Sequence, residues 1–556
     1  MTTDTHLLPV ARRVTHATDP ALRGSASGCS AAARRPLAVV LATAITAVAA
    51  AGLLVTQLTG CASPGVLPAP LALLAPAAAG LSADAATPFA DARWWQALGD
   101  PALDALIDQA LAGQPSLAQA AARLARASAS TDATRAGQGA QAGAALDITR
   151  QRYTEHGLVP PPLAGGTYNL GNLQASASIE FDFFGRHDAA LQAALGQQQA
   201  SRAELQAARV LLAGQVTRAY VGLARLVALH GLAQQTASQR QALLALTRQR
   251  VQAGIDSRVE LRQAESGLPD ARSQIEALDG QIALARHRLA LLSGQAPQAQ
   301  DGLSPRLAPL TALPLPGRLG ADLLGRRADV VAARWRVEAA AQDVALARSQ
   351  FYPDINLVGF VGLNALGLDR LLSAGSLNAG VGPALRLPLF DGGRLRANLR
   401  GRAADADAAV AAYNGAVLAA AHEVADAASS GQSLARQQLE QALALGLAED
   451  AYDLALQRYR AGLGTYLVVL GAESGVLAQR TQAAELKARA LDVQAQLMQA
   501  LGGGWRDEPA TPATSATSAT SATSATSATS ATSARSATPA TPARTARLDA
   551  PAPPLR

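Results

Sequence analysis

Arg250-Val251-Gln252-Ala253-Gly254 returns 208 residues later as Arg458-Tyr459-Arg460-Ala461-Gly462. The same offset carries Gly185-Arg186 onto Gly393-Arg394, Ala264-Glu265-Ser266 onto Ala472-Glu473-Ser474, and Leu289 onto Leu497, with no gap between them. One architectural unit is therefore present twice. A period this long is neither a small solenoid repeat nor a propeller blade. It predicts two halves packed with pseudo-symmetry, and Gly254 and Gly462 mark the same turn in each.

Working outward from each glycine, the flanks read as long helices. Leu212, Val216, Ala219, Leu223, Leu226 and His230 step by four and three before Gly254, and Ile275, Leu278, Ile282, Ala285, Leu289 and Leu292 do so after it. The second half has Ala483, Leu486, Ala490, Val493, Leu497 and Ala500. Such spacing gives coiled-coil seams. The helices before the turns start near Asp188 and Arg396, and the first reaches about Ala253, roughly 100 Å at about 1.5 Å per residue. That length spans a distance, about that of a periplasm, instead of packing a compact core. In Gly254-Ile255-Asp256-Ser257 and Gly462-Leu463-Gly464-Thr465 a glycine ends one helix, and Asp/Ser or Thr caps the next.

Ahead of each long helix lies a strand pair. Leu173, Ala175, Ala177, Ile179, Phe181 and Phe183 alternate with Gln174, Ser176, Ser178, Glu180 and Asp182. A period of two means one apolar and one wet face. The length suits a tilted strand across a bilayer; the other reading is a soluble sandwich edge. Its partner lies around Leu146–Tyr153, across a Pro/Gly-rich loop. The second half offers Ile355–Leu363 and Leu377–Leu389. Four strands cannot close a membrane barrel, and lipid permits no open sheet edge. Spanning strands therefore require several chains to share one barrel. A further helix opens at Asp100-Pro101, with Asp100 at the N-cap and Pro101 at the first helical position, and the pattern runs to about Arg135 with a break near Gly113–Pro115.

The N-terminus predicts export. Arg34-Arg35 precede an apolar run, Leu37 to Val55, and then Leu58-Thr59-Gly60-Cys61. This is signal-peptide grammar, and the tetrapeptide resembles a bacterial lipobox, in which Cys61 becomes the lipidated first residue. The run is also long enough for a transmembrane anchor. The Pro/Ala-rich stretch to residue 88 reads as a tether, and the Ala-Thr-Ser triplets after Pro509 lack the bulky apolar residues needed to offset ordering entropy. The expected division is 1–60 extension and signal peptide, 61–88 tether, 89–300 first repeat, 301–508 second repeat and 509–556 disordered tail.

Composition excludes other classes. The formal charge of +6 rests almost wholly on arginine, Lys487 being the only lysine, and no basic stripe is interleaved with aromatics, so nucleic acid is not a partner. Cys29 and Cys61 both precede the folded region, which removes disulfides, cysteine-held metals and thiol nucleophiles from the body. The seven histidines form no metal-spaced pair.

The chain resembles the outer-membrane factor family, the TolC-like efflux channels, in its lipoprotein branch serving RND-type pumps. The residues carrying this are Asp100-Pro101-Ala102-Leu103-Asp104-Ala105-Leu106, the turns Asp182–Arg186 and Pro388–Arg394, Leu324–Val330, Ser349–Ile355, and Tyr459–Gly462 with Tyr466–Leu470. The resemblance covers roughly 85–505. It implies a mostly α, α+β fold: a homotrimer with a shared twelve-stranded β-barrel in outer-membrane lipid and a long α-helical coiled-coil tunnel in the periplasm. A periplasmic adaptor and an inner-membrane pump would dock at the tip. No catalysis and no cofactor are implied. Ala62, in place of an inner-membrane-retaining Asp, is compatible with outer-membrane delivery. Family members often carry acids after the second tip turn; these positions fall on Val468 and Gly471, neither of which carries charge. Glu260, the counterpart of Val468 at the 208 offset, and nearby Glu473 are the acidic alternatives. Leu467 is the candidate narrowest ring, or else a helix-packing residue. The function expected is a passive export duct; the other class is a non-conducting coiled-coil scaffold lipoprotein of the envelope.

Overall fold

The computed structural model describes residues 64–81, 92–310 and 323–505. The signal peptide, Cys61 and the C-terminal tail lie outside the described residues.

The 208-residue offset is kept by the long helices to the residue. α3 is Arg186–Gln252 and α6 is Arg394–Arg460, each of 67 residues; α4 is Arg258–Leu292 and α7 is Tyr466–Ala500, each of 35. Shorter helices precede them: α1 Pro101–Gly113, α2 Pro115–Gly137 and α5 Ala328–Ser349. Between α2 and α3 lie β1 (Gln141–Arg152) and β2 (Thr167–Phe181); between α5 and α6 lie β3 (Asp354–Leu366) and β4 (Leu377–Arg386). Near the strands the helices lie side by side as α2-α3-α5-α6, and farther down as α4-α3-α7-α6. Two layers of wall are thus strung on two continuous helices.

The four strands form one antiparallel sheet in the order β1-β2-β3-β4. Directly opposed residues share a face. The register sets Leu146 beside Leu173, Leu173 beside Leu363, and Leu363 beside Leu377; Ile179 lies beside Leu357, and Phe181 beside Ile355. One face is thus apolar from edge to edge, and the other carries Ser176, Ser178, Asn356 and Asn378. The apolar face has no cover: Leu146, Ile179, Val361, Leu377 and Val381 are all exposed. β1 and β4 each leave one edge unpaired within the protomer.

Strand ends depart from the periodicity for local reasons. β2 starts at Thr167, six residues before the alternation is readable, because Tyr168 and Leu170 share parity with the polar Gln174. There Leu368 and Leu371 fold over Gly171, whose absent Cβ leaves room for the Leu371 side chain at 3.0 Å from that position. β4 stops at Arg386, not Leu389, since Pro388 cannot donate to a ladder. β2 stops before Phe183 because Asp182 turns to cap α3: its carboxylate accepts from the backbone N–H of Arg186 (2.7 Å), His187 (2.9 Å) and Asp188 (3.1 Å). Asp391 does the same for α6, accepting from Gly393 (2.9 Å) and Leu395 (2.6 Å). Both long helices consequently begin two residues before the expected starts.

Below the sheet, α1 packs on α3 through Leu103 and Ile107 against Val216, Tyr220 and Leu223, all fully buried. Each such side chain contributes about 1.5–3 kcal/mol. Asp100 caps α1 through the Ala102 N–H (3.0 Å) and also accepts from the Tyr220 hydroxyl (2.6 Å). Buried Arg327 joins the start of α5 to α6 and to the end of α7: it pairs with Asp329 and Glu423, both at 2.6 Å, and donates to the Ala500 carbonyl at 3.1 Å.

Residues 64–81 form a strap along α6. Leu67 packs with Leu395, Leu399 and Phe351, Leu74 with Tyr413 and Val417, and Leu81 with Val424 and Ala427. Asp407 accepts from the Leu71 N–H at 2.9 Å; Asn414 accepts from the Leu74 N–H at 2.8 Å and donates to the Ala72 carbonyl at 3.1 Å. The strap's N-terminal end therefore lies at the first turn of α6, directly below the sheet.

Candidate functional site

The distal tip is built from the two helix turns. Gly254 and Gly462 adopt left-handed φ of 71° and 77°, which only glycine enters without strain. The following N–H groups return to the helix: Ile255 to the Arg250 carbonyl at 2.9 Å, and Leu463 to the Arg458 carbonyl at 2.8 Å. The two turns then differ. Ser257 caps α4 in a capping box, its Oγ accepting from the Val259 N–H at 3.1 Å while Glu260 accepts from the Ser257 N–H at 3.0 Å. Thr465 stands at the N-cap of α7, but its side chain makes no capping bond.

Asp256, read from sequence as a cap, is instead the centre of a clasp. Arg250 holds it with two bonds, Nε at 2.8 Å and Nη2 at 3.0 Å. The Tyr459 hydroxyl donates to the same carboxylate at 2.6 Å. The Arg250 guanidinium lies 4.3 Å from the Tyr459 ring centroid and donates to the Tyr459 carbonyl at 2.9 Å. Thr247 completes the set with a hydroxyl contact to Tyr459 at 3.1 Å. Thr247, Arg250 and Tyr459 are all buried. The hydrogen bond from Arg250 holds the Asp256 carboxyl below the usual range, and burial pushes the Tyr459 phenol up to about 12. This clasp ties the α3–α4 hairpin to the end of α6.

Of the gate candidates, Leu467, Val468 and Gly471 share one exposed face of α7. Leu467 is 64% exposed, which removes the helix-packing reading within the protomer. Tyr466, Val469 and Glu473 lie on the opposite, buried face. Glu473 is 3% exposed and pairs with Arg240 at 3.3 Å, while its Oε1 is buried without a partner. Burial raises its carboxyl above the usual range, against the pull of Arg240. Glu260 bonds to Ser257, whose hydroxyl holds its carboxyl low. The structure thus groups three of the candidates and sets Glu473 apart. Ile255 and Val259 repeat the exposed apolar pattern at the counterparts of Leu463 and Leu467. Among the described residues no group of three or more His, Cys, Asp or Glu could hold a metal ion.

Sequence reading missed Thr247, Arg250, Asp256, Tyr459 and Arg240. A signal was present: at the 208 offset Thr247, Asp256 and Tyr459 face Ala455, Gly464 and Val251. Polar groups found in only one copy of a repeat serve contacts the other copy does not make.

Comparisons with known proteins agree with this architecture. The family model described as outer membrane efflux protein matches residues 106–295 and 319–503. The multidrug resistance outer membrane protein MdtQ of Escherichia coli O157:H7 is 35% identical over 467 residues, 82% of this chain and 97% of its own. The fusaric acid resistance protein FusA of Burkholderia cepacia is 41% identical over 325 residues, 57% of this chain and 60% of its own. The crystal structure of the outer membrane protein VceC from Vibrio cholerae superposes with a TM-score of 0.70 at 35% identity, covering 74% of this chain and 99% of that one. The outer-membrane channel OprN gives 0.71 at 28%, covering 80% and 100%. With its paired helix-strand units, one-sided sheet and long helical wall, the chain belongs to the outer membrane efflux protein family and is an efflux channel of the outer membrane.

Proposed function

We propose that three copies close a single twelve-stranded barrel and a continuous helical tunnel, serving as the outer-membrane duct of a tripartite pump. One observation carries this: the four-stranded sheet is apolar across one whole face and unpaired at both edges. An open edge in lipid leaves backbone groups unsatisfied at several kcal/mol each, so β4 of one copy must meet β1 of the next. The helical wall has matching free edges in α4 and α6. Along α6, Leu439, Leu443 and Leu447 form an exposed stripe for that seam, where α3 has Gly231, Gln235 and Gln239 at the counterpart positions.

Channels of this family are trimers that work with a periplasmic adaptor and an inner-membrane pump. The tip, roughly 100 Å from the sheet along α3 and α6, is where those partners would dock. Transport energy comes from the pump, so the duct needs no catalytic group and no cofactor. Relatives named for multidrug and fusaric acid resistance point to small organic solutes as cargo.

Lipidation at Cys61 fits the strap. Leu67 is six positions after Cys61 (67 − 61 = 6), at most about 20 Å of extended chain, and packs just below the sheet. An acyl chain on Cys61 would enter the same membrane that the sheet spans.

The gate falls on the exposed face of α7. Gly471 lies three heptads before Asp492 (492 − 471 = 21) and Val468 four heptads before Gln496 (496 − 468 = 28), two residues lining cavities that would face the tunnel in the trimer. Leu467 and Val468 would then form an apolar constriction.

Reconstitution of the purified full chain in planar bilayers tests this. Discrete conductance steps from a species of trimer mass are expected. A monomer, or a trimer that never conducts, overturns the reading.

A further inference from the structure

Burial on one face of α3 fixes the direction of the other. Val216, Tyr220 and Leu223 point into the core beneath α1. Arg218, Gly222 and Arg225, each two positions further on, lie about 200° round the helix. There they line a cavity of about 620 Å3, flanked by Leu284 and Arg288 of α4 and by Asp492 of α7. The strap covers the same face of α6 that α1 covers on α3, for Val424, the 208 counterpart of Val216, lies under Leu81. One side of the wall is thus dressed by α1 and the strap. The cavity opens on the other, which is the tunnel interior if the assembly proposed above holds.

The cavity is cationic. Arg225 is neutralised by Glu485 at 2.5 Å; Arg218 and Arg288 then outweigh Asp492, a carboxylate that keeps its charge while accepting from Gln496 at 2.6 Å. Among the described residues, Arg218 and Arg288 make no ion pair, and Arg218 Nε is buried with no hydrogen-bond partner. A buried donor without an acceptor is costly, and the Arg218 side chain, half-buried overall, borders the cavity. Leu226, Leu284 and Leu292 give the same cavity an apolar side. The second half inverts the charge. The counterparts of Gln215 and Arg218 are Glu423 and Asp426, which line a neighbouring cavity of about 350 Å3 that Arg218 also borders. Glu423 is paired with Arg327, which leaves Asp426 as the acid of that cavity with no ion pair among the described residues.

We propose that Arg218 and Arg288 form a binding site for amphipathic organic carboxylates, partway along the inner wall. The carboxylate accepts from both guanidiniums, as planar forked donors favour, and the hydrocarbon part lies on Leu226, Leu284 and Leu292. A trimer carries three such sites. They would hold anionic solutes in transit along the wall.

The test is a saturation-transfer NMR titration of the detergent-solubilised full-length protein with benzoate at low salt. Saturable binding is expected, weakened about tenfold in Arg218→Gln/Arg288→Gln, weakened less in Arg218→Lys/Arg288→Lys, which keeps the charge and loses the planar fork, and not competed by benzylamine. The trimer mass of each variant is checked alongside, and Asp426→Asn serves as a folded charge control that leaves benzoate binding in place. Equal benzoate affinity in wild type and the glutamine double variant overturns the site, as does equal competition by benzylamine. The channel reading fails separately: a protein that binds benzoate but shows no conductance refutes the duct and leaves the site standing.

Discussion

The Tyr459 hydroxyl donates to the Asp256 carboxylate at 2.6 Å, joining the end of α6 to the turn between α3 and α4. Any separation of the two hairpins must break this contact and expose the Arg250–Asp256 pair beneath it. Tyr459→Phe keeps the ring under Arg250 and removes only the hydroxyl. A loss of about 1–2 kcal/mol is expected from a buried charged acceptor losing one donor. In planar bilayers the variant should spend more time in higher-conductance levels than wild type. An unchanged conductance distribution would show that the clasp is not a restraint on opening.

Asp256 and Glu473 give the tip opposite pH dependences. The Asp256 pKa is lowered on folding, so its stabilisation is present above the unfolded carboxylate value and is lost as pH falls through the folded one. The Glu473 pKa is raised by burial, so its contribution is full below the unfolded value and is lost as pH rises through the folded one. Between these limits, mild acidification should stabilise the fold by relieving the burial cost of the Glu473 carboxylate while the clasp still holds, and stronger acid should open the clasp. Thermal midpoints of the intact assembly measured from pH 7 downward should therefore rise before they fall. Glu473→Gln should remove the rise and keep the fall; a monotonic wild-type profile would contradict the pair.

These two groups also mark how far the residues alone could be read. The repeat, the helix lengths and the apolar sheet face were legible, because each follows from a period: 208 for the halves, about 3.5 for the seams, two for Leu173 to Phe181. The clasp was not, because Arg250, Asp256 and Tyr459 meet across 203 residues of chain and obey no period. The facing of Glu473 was equally hidden: only the packing of α7 on α3 shows that it turns to Arg240, away from the side of Leu467 and Gly471. The first six residues of β2 failed for a third reason, since Tyr168 and Leu170 put apolar groups on the otherwise polar face.

The two faces of the sheet should tolerate charge unequally. Ile179 lies on the apolar face beside Leu357, and Ser178 on the other beside Val358. Ile179→Arg should cost about 2–4 kcal/mol if that level is near the bilayer midplane, and Ser178→Arg much less. The yield of heat-modifiable, membrane-extracted trimer reports both. Equal yields would argue against a spanning strand.

A lipid on Cys61, as proposed above, would be held close to the wall by the strap. Mass spectrometry of the mature chain should show cleavage before Cys61 and two or more acyl groups on it, each buried methylene contributing about 0.8 kcal/mol. Asn414→Ala removes both the acceptor for Leu74 and the donor to Ala72. Protease access within residues 64–81 should then rise while the trimer mass is kept. A strap as resistant as wild type would mean that Leu67, Leu74 and Leu81 hold it without the amide.

The gate prediction turns on charge that is missing. Leu467, Val468 and Gly471 are exposed together, and the two acidic candidates are committed elsewhere, Glu260 to Ser257 and Glu473 to Arg240. An apolar constriction gates by dewetting, whereas an acidic ring draws cations in. The wild-type channel should therefore show weak cation preference and little block by divalent cations. Gly471→Asp should raise both, because a trimer brings three carboxylates to one level of the pore. Leu467→Ser should raise conductance without changing ion preference, since it wets the constriction and adds no charge. Glu260 is the decisive control. Its carboxylate is solvent-exposed enough to serve a pore if the capping box frays, and Glu260→Gln keeps the bond to the Ser257 N–H in weaker form. Strong divalent block in wild type that disappears in Glu260→Gln would replace the apolar gate with an acidic ring contributed by the first half of the repeat.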